Sequence, residues 1–112
     1  MMFYKKNKEG YHSRVKDIDQ KTLVFGDRTL MAEFRLKKGA VVTRHSHPYE
    51  QTGYLVSGRM IFISGEERFE ALPGDSWCIL TNVEHSAEVL EDSVAVEVFS
   101  PVREDYLPGE NL

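Results

Sequence analysis

Little in these 112 residues suits a covalent staple, a membrane or a nucleic-acid partner. Cys78 is the only cysteine, so no disulfide can close within the chain, which fits a reducing compartment and a cytoplasmic protein. No apolar run approaches the roughly 20 residues that a transmembrane helix needs. The charges of the first ten residues lead into no apolar stretch, so no signal peptide is expected. Cations are in deficit: 14 Lys and Arg stand against 18 Asp and Glu, a net charge of −4. That balance argues against a face built for phosphates, since such a face clusters positive charge. Helical periodicity is missing as well. No linker, low-complexity tract or internal repeat breaks the chain, so residues 1–112 read as a single domain. A domain of this length buries enough surface for a core of its own.

What remains is a series of short runs punctuated by Gly, Pro, Asn and Asp. Leu30, Ala32, Phe34 and Leu36 alternate with Met31, Glu33, Arg35 and Lys37. A period of two marks a half-buried strand. Further strands are expected over 52–57, 60–64, 68–72, 76–80 and 94–99. Gly58, Gly65-Glu66 and Pro73-Gly74-Asp75 turn the chain between them. Such even spacing predicts an all-β sandwich or barrel with its core over about 30–100. Residues 11–24 are ambiguous, and 1–25 read as an N-terminal extension. Residues 101–112 read as an irregular tail. Trp77 and Cys78 fall in an apolar run and are expected in the core.

The chemistry concentrates in the histidines. His45 and His47 are two apart, which on a strand puts both imidazoles on one face. Imidazole nitrogens suit first-row divalent metals, and Zn, Ni, Fe, Mn or Co are all compatible with a supplementary oxygen ligand. Gln51 offers a side-chain carbonyl four residues after His47. His85 lies beyond the Pro73-Gly74-Asp75 turn and one more strand, where a returning strand can close a site. Glu50 is a rival oxygen ligand, but its register puts it on the opposite strand face as a solvated charge. His12 reads as an ordinary surface histidine.

The order Gly39, five residues, His45, Ser46, His47, three residues, Gln51, six residues and Gly58 resembles the first motif of the cupin superfamily. The one departure is Gln51 in place of Glu. The second motif is looser: Gly74 and His85 are in register, while Leu80, Asn82 and Val89 replace its Pro, Gly and Asn. The resemblance covers about 30–100. It implies a double-stranded antiparallel β-barrel, the jelly-roll form, with a metal inside held by His45, His47, Gln51 and His85. Gln51 would leave a divalent ion its full charge, making it a stronger Lewis acid but a less firmly retained one.

A second segment sharpens the resemblance. Glu97-Val98-Phe99-Ser100-Pro101-Val102-Arg103, taken with His45-Ser46-His47-Pro48-Tyr49-Glu50-Gln51, is similar to the pectin-degradation cupins of the KdgF type. Those cupins open the ring of 4,5-unsaturated monouronates. By that resemblance Glu97 is the acid/base carboxylate, Phe99 a pocket wall and Arg103 a clamp for a substrate carboxylate. The family has Asp where this chain has Glu97, and a misplacement near 1 Å can cost about 100-fold in rate. Tyr54 joins Phe99 as a candidate pocket residue, or packs outward. Glu97 and Arg103 are alternatively an ion pair with each other. Cupins of this size often dimerise through strand edges, so a homodimer is expected by the same resemblance.

Three functions stay open on these residues. One is metal-assisted, acid/base ring opening or isomerisation of a small unsaturated sugar acid. Another is dioxygen activation by Fe(II) on the same ligands. The third is a non-enzymatic module that binds a metal and a small, carboxylate-bearing ligand.

Overall fold

The alternating segment around Phe34 is a strand in the computed structural model, which describes residues 1–108. That strand is β3, Leu30–Leu36, with Leu30, Ala32 and Leu36 buried and Met31 and Arg35 exposed. Before it come β1, His12–Val15, and β2, Ile18–Phe25. After it come β4, Val41–His45, and β5, Glu50–Ser64. Then follow β6, Glu67–Ala71; β7, Ser76–Ile79; and β8, His85–Ser100. A single turn of 3-10 helix, Glu104–Tyr106, ends the described chain. Every strand pairing is antiparallel, as the cupin resemblance implies.

The two long strands organise the rest. β5 and β8 pair with each other from Glu50 opposite Ser100 to Ile63 opposite Ser86. The first half of β8 also pairs with β4, and its second half with β3. On β5, the first half pairs with β7 and the second with β6. Each long strand thus belongs to both walls of the barrel and turns a corner at its middle. The corner is made by register slips in β5 between Leu55 and Met60. Such bulges bend a strand without ending it.

Gly58 sits at that corner with φ of 95°, and a Cβ there would lie 2.1 Å from Ser93 Oγ and 2.4 Å from the Asp92 carbonyl. Only glycine tolerates both the left-handed backbone and that approach. The separate strands expected over 52–57 and 60–64 are therefore one strand. Glycine with positive φ serves a bulge as readily as a turn, and the local sequence does not tell the two apart.

Residues 12–25 join the barrel as β1 and β2, with β2 paired along β3. Ile18 and Gln20 of β2 face inward and are buried. One end of the interior is apolar: Leu36, Leu55, Met60, Val89 and Ala95 pack there with little or no exposure. A second apolar cluster is formed by Leu30, Ala32 and Phe99. Among the described residues, no helix is long and apolar enough to cross a membrane.

Candidate metal centre and its acid/base neighbour

Three strands or their flanking loops bring the histidines to one end of the barrel. His45 ends β4, His85 begins β8, and the two stand opposite each other in the sheet. Their ring centroids are 4.2 Å apart. His47 does not share the strand with His45. It lies in the loop between β4 and β5, held where Asn82 N–H donates to its carbonyl at 2.8 Å. Its ring still comes within 5.5 Å of His45 and 5.0 Å of His85. Candidate ligand atoms of the three lie within 4.8 Å of one another.

The outward nitrogens settle which ring atoms are free. His45 Nδ1 meets the Thr43 carbonyl at 2.7 Å, His47 Nδ1 the Tyr49 carbonyl at 3.0 Å and His85 Nδ1 the Val83 carbonyl at 2.9 Å. A carbonyl only accepts, so each Nδ1 carries a proton, and Nε2 is the ring atom through which each histidine can offer a lone pair to a metal. Backbone carbonyls of this kind fix the tautomer and aim of metal-binding imidazoles. Burial holds His85 below the ordinary histidine range; the Val83 hydrogen bond opposes this, and the neighbouring His45 and His47 reinforce it. A neutral, metal-ready imidazole is the result.

Gln51 approaches the same point from β5. Its Oε1 is 2.9 Å from His47 Nε2. With His47 in the metal-binding tautomer both atoms are acceptors and no proton joins them. Two lone pairs facing each other at that distance suit a cation between them: ligands at ~2.1 Å and a right angle stand about 3 Å apart. The Gln51 amide is turned this way by its other end, where Nε2 donates to Glu97 Oε2. The donor set of three imidazoles and an oxygen fits a divalent transition metal.

Glu97 is buried on β8 between Ala95 and Phe99, facing inward, while Val94, Val96 and Val98 face the other way. Burial pushes its carboxyl up to about 7 from the ordinary 4.5. The Gln51 amide, the Trp77 indole and the charge of Arg103 pull the other way without cancelling it. Trp77 acts on Glu97 without closing a geometrically satisfied hydrogen bond, for its Nε1 is buried with no partner among the described residues. A carboxyl poised near neutrality is suited to take and return a proton.

Arg103 stands at the mouth. Its guanidinium lies 3.9 Å from the Tyr106 ring centroid and 5.1 Å from those of Tyr49 and Phe99. Asp105 accepts from Nη2 at 2.7 Å and from Nε at 3.2 Å. Arg103 is therefore not paired with Glu97; the carboxylate two residues away takes its fork. Partial burial alone would raise Asp105, but the hydrogen bonds and charge of Arg103 outweigh it and hold that carboxyl below its ordinary value. The guanidinium keeps further N–H donors beyond the two that Asp105 takes.

These groups line one cavity of about 330 Å³. His45, His47, Gln51, His85, Glu97, Phe99 and Arg103 all border it. Tyr54 does not: it lies on the outer face of β5, half exposed, an odd number of residues from Gln51. Glu50 and His12 are exposed. Cys78 is also exposed, outward on β7, whereas Trp77 and Ile79 point in. A run of apolar residues has no alternation to tell its faces apart; the pairing of Trp77 with Gly53 and of Ile79 with Gln51 decides it. Sequence reasoning missed Gln20 and Tyr106 in the cavity wall, and Asp105 beside Arg103.

Comparison with known proteins agrees with this geometry. The chain is 33% identical over 93 residues to the pectin degradation protein KdgF of Dickeya dadantii (strain 3937), covering 80% of this chain and 84% of that one. The structure of KdgF from Halomonas sp. superposes with a TM-score of 0.89 at 28% identity, covering 95% of this chain and all of that one. An RmlC-like cupin from Shewanella frigidimarina NCIMB 400 also gives 0.89, at 22% identity over 96% of each chain, and speaks to the fold alone. The family model described as the cupin domain matches residues 32–101, the span that holds all three histidines, Gln51 and Glu97, and the chain belongs to the cupin family.

Proposed function

We propose that this cupin opens the ring of a small 4,5-unsaturated uronate, with a divalent metal held by His45, His47, Gln51 and His85. The observation that carries the reading is the hydrogen bond between Gln51 and Glu97. It ties an oxygen aimed at the histidine cluster to a buried carboxyl that keeps its proton near neutral pH. Similarity to a protein named for pectin degradation supports the substrate class.

A bound cation would supply Lewis-acid polarisation of a substrate oxygen. The protein residues do the rest. The reaction is an isomerisation: the anomeric hydroxyl loses a proton, the ring C–O bond breaks, and the enol-ether carbon C4 gains a proton as C5 becomes a ketone. Glu97 in its ionised form takes the first proton and in its neutral form delivers the second, so no co-reactant is consumed. A pKa near the working pH serves both directions. Arg103 receives the substrate carboxylate on the N–H groups that Asp105 leaves open, and its planar fork suits that group. Phe99 and Tyr106, edge to face at 5.3 Å, wall the cavity beside it.

A module that only bound a metal or ligand would need at residue 97 no more than an acceptor for the Gln51 amide, which a neutral side chain also supplies. An inward carboxyl without a formal counter-charge costs stability whenever it ionises. The test is direct. The full chain is loaded in turn with Zn, Ni, Fe, Mn and Co and mixed with 4,5-unsaturated galacturonate. Loss of the enol-ether absorbance should run well ahead of the spontaneous rate with at least one metal. Background rates with all five would remove the reading.

A further inference from the structure

One rung of the inner face runs Ala32, Glu97, Gly53, Trp77, each residue directly opposite the next on β3, β8, β5 and β7. Directly opposed residues in antiparallel strands share a face, with Cβ atoms about 5 Å apart. Gly53 brings no side chain to this rung, and Trp77 fills the place. A Cβ built on Gly53 would lie 2.2 Å from the indole Cε2 and 2.3 Å from Nε1. The edge of the ring that bears the N–H therefore crosses Gly53 toward Glu97. Phe62 packs on the indole with centroids 4.3 Å apart and holds its tilt. The N–H is buried and has no hydrogen-bond partner among the described residues. A buried donor left so is costly and uncommon in folded proteins. The acceptor on its rung is the Glu97 carboxylate.

We propose that Trp77 is a positioning residue for Glu97, its indole N–H the second donor to the carboxylate after the Gln51 amide, and that residue 53 is glycine to let the indole through. A glutamate side chain has three torsions, so one donor leaves its carboxylate free to swing. A second donor removes that freedom. Each oxygen then still has a lone pair for a substrate proton. The kinetic part of this inference rests on the ring-opening reading; the contact itself does not.

Trp77 is the only tryptophan, so the amide NMR spectrum of the full chain holds a single indole N–H peak. In metal-free and Zn-loaded protein that peak should lie downfield, and Glu97→Gln should move it upfield, because a neutral amide oxygen accepts more weakly than a carboxylate. Gly53→Ala forces the ring out of its lane and should move the peak the same way. Trp77→Phe keeps a ring over Gly53 but removes the donor. Its kcat on unsaturated galacturonate should fall about ten- to a hundred-fold with KM unchanged, as loss of one hydrogen bond to a charged group implies. An indole peak indifferent to Glu97→Gln overturns the inference even if the enzyme turns over normally. Unchanged kcat in folded Trp77→Phe overturns it too. A peak that moves in a protein with no uronate activity sustains the contact and removes only the substrate assignment.

Discussion

Glu97 and Asp105 both lie in the field of Arg103, yet the barrel wall and the C-terminal turn treat them in opposite ways. In the wall, Glu97 is buried and its hydrogen-bonding neighbour is a neutral amide, so its carboxyl is pushed up to about 7. On the turn, Asp105 faces a bidentate guanidinium and is held below its ordinary value. The difference separates two jobs. Neutral donors orient a carboxyl while leaving its charge free to change. A paired cation fixes charge and orientation together. The first arrangement suits a group that carries protons, the second a group that holds another side chain still.

The largest expected effect is on the wall. Glu97→Gln keeps the shape and burial of residue 97 but cannot exchange a proton. Turnover of unsaturated galacturonate should drop about 10²- to 10⁴-fold, the usual contribution of a positioned acid/base. Following enol-ether absorbance at fixed metal loading measures it. A comparable loss from Asp105→Asn would break the division between the two regions.

The same carboxyl should set a pH dependence of stability in the metal-free protein. The unfolded chain gives up the proton of residue 97 near 4.5, the folded chain only near 7. Between those values the native state binds more protons, so stability falls as pH rises. The total change is on the order of 3 kcal/mol, complete by about pH 7. Urea unfolding at a series of pH values checks it, and Glu97→Gln should flatten that part of the profile. Asp105 has the opposite sign: its contribution is present above its unfolded pKa and is lost as pH falls through the lowered folded one.

Much of the wall was legible in sequence, and the turn less so. The period of two in 30–36 carries its strand faces directly, and the motif that holds His45, His47 and His85 picks out three side chains that meet at one point, although His47 reaches it from a loop and not from the strand of His45. Gln51 was legible by the same spacing, and its position fixes the outward face of Tyr54 by parity. The partner of Arg103 was not legible, because Glu97 and Asp105 both offer a carboxylate to it and the sequence does not rank them. Locality decided otherwise: a pair two residues apart closes with little loss of chain entropy. β2 stayed hidden because the cavity it lines takes polar Gln20 beside Ile18, which blurs the apolar alternation of a strand. The middle of β5 was hidden because a bulge glycine and a turn glycine have one signature.

Arg103→Lys sharpens the comparison from the side of the shared cation. Lysine keeps the charge that both carboxyls feel but loses the planar fork and the stacking on Tyr106. KM for the uronate should rise about tenfold while kcat changes little, since binding is lost and the proton carrier is kept. Steady-state kinetics over a range of substrate concentrations separates the two parameters. A fall in kcat matching that of Glu97→Gln would mean that Arg103 acts on the reacting atoms and not on the carboxylate.

Asp105→Asn should have the smallest effect, and it isolates what the turn contributes. The asparagine keeps one acceptor for the guanidinium and removes the charge. The Asp105 side chain is 46% exposed, so solvent screens the pair and its worth is that of a surface ion pair, about 0.2–1 kcal/mol. The three rings around Arg103 stay in place and still hold the guanidinium near the mouth. KM should therefore rise by less than about fivefold, kcat should hold, and added salt should narrow the gap to the parent protein. A lower KM would reverse the role assigned to the turn, because it would make Asp105 a competitor for the substrate carboxylate at Arg103 and not its support.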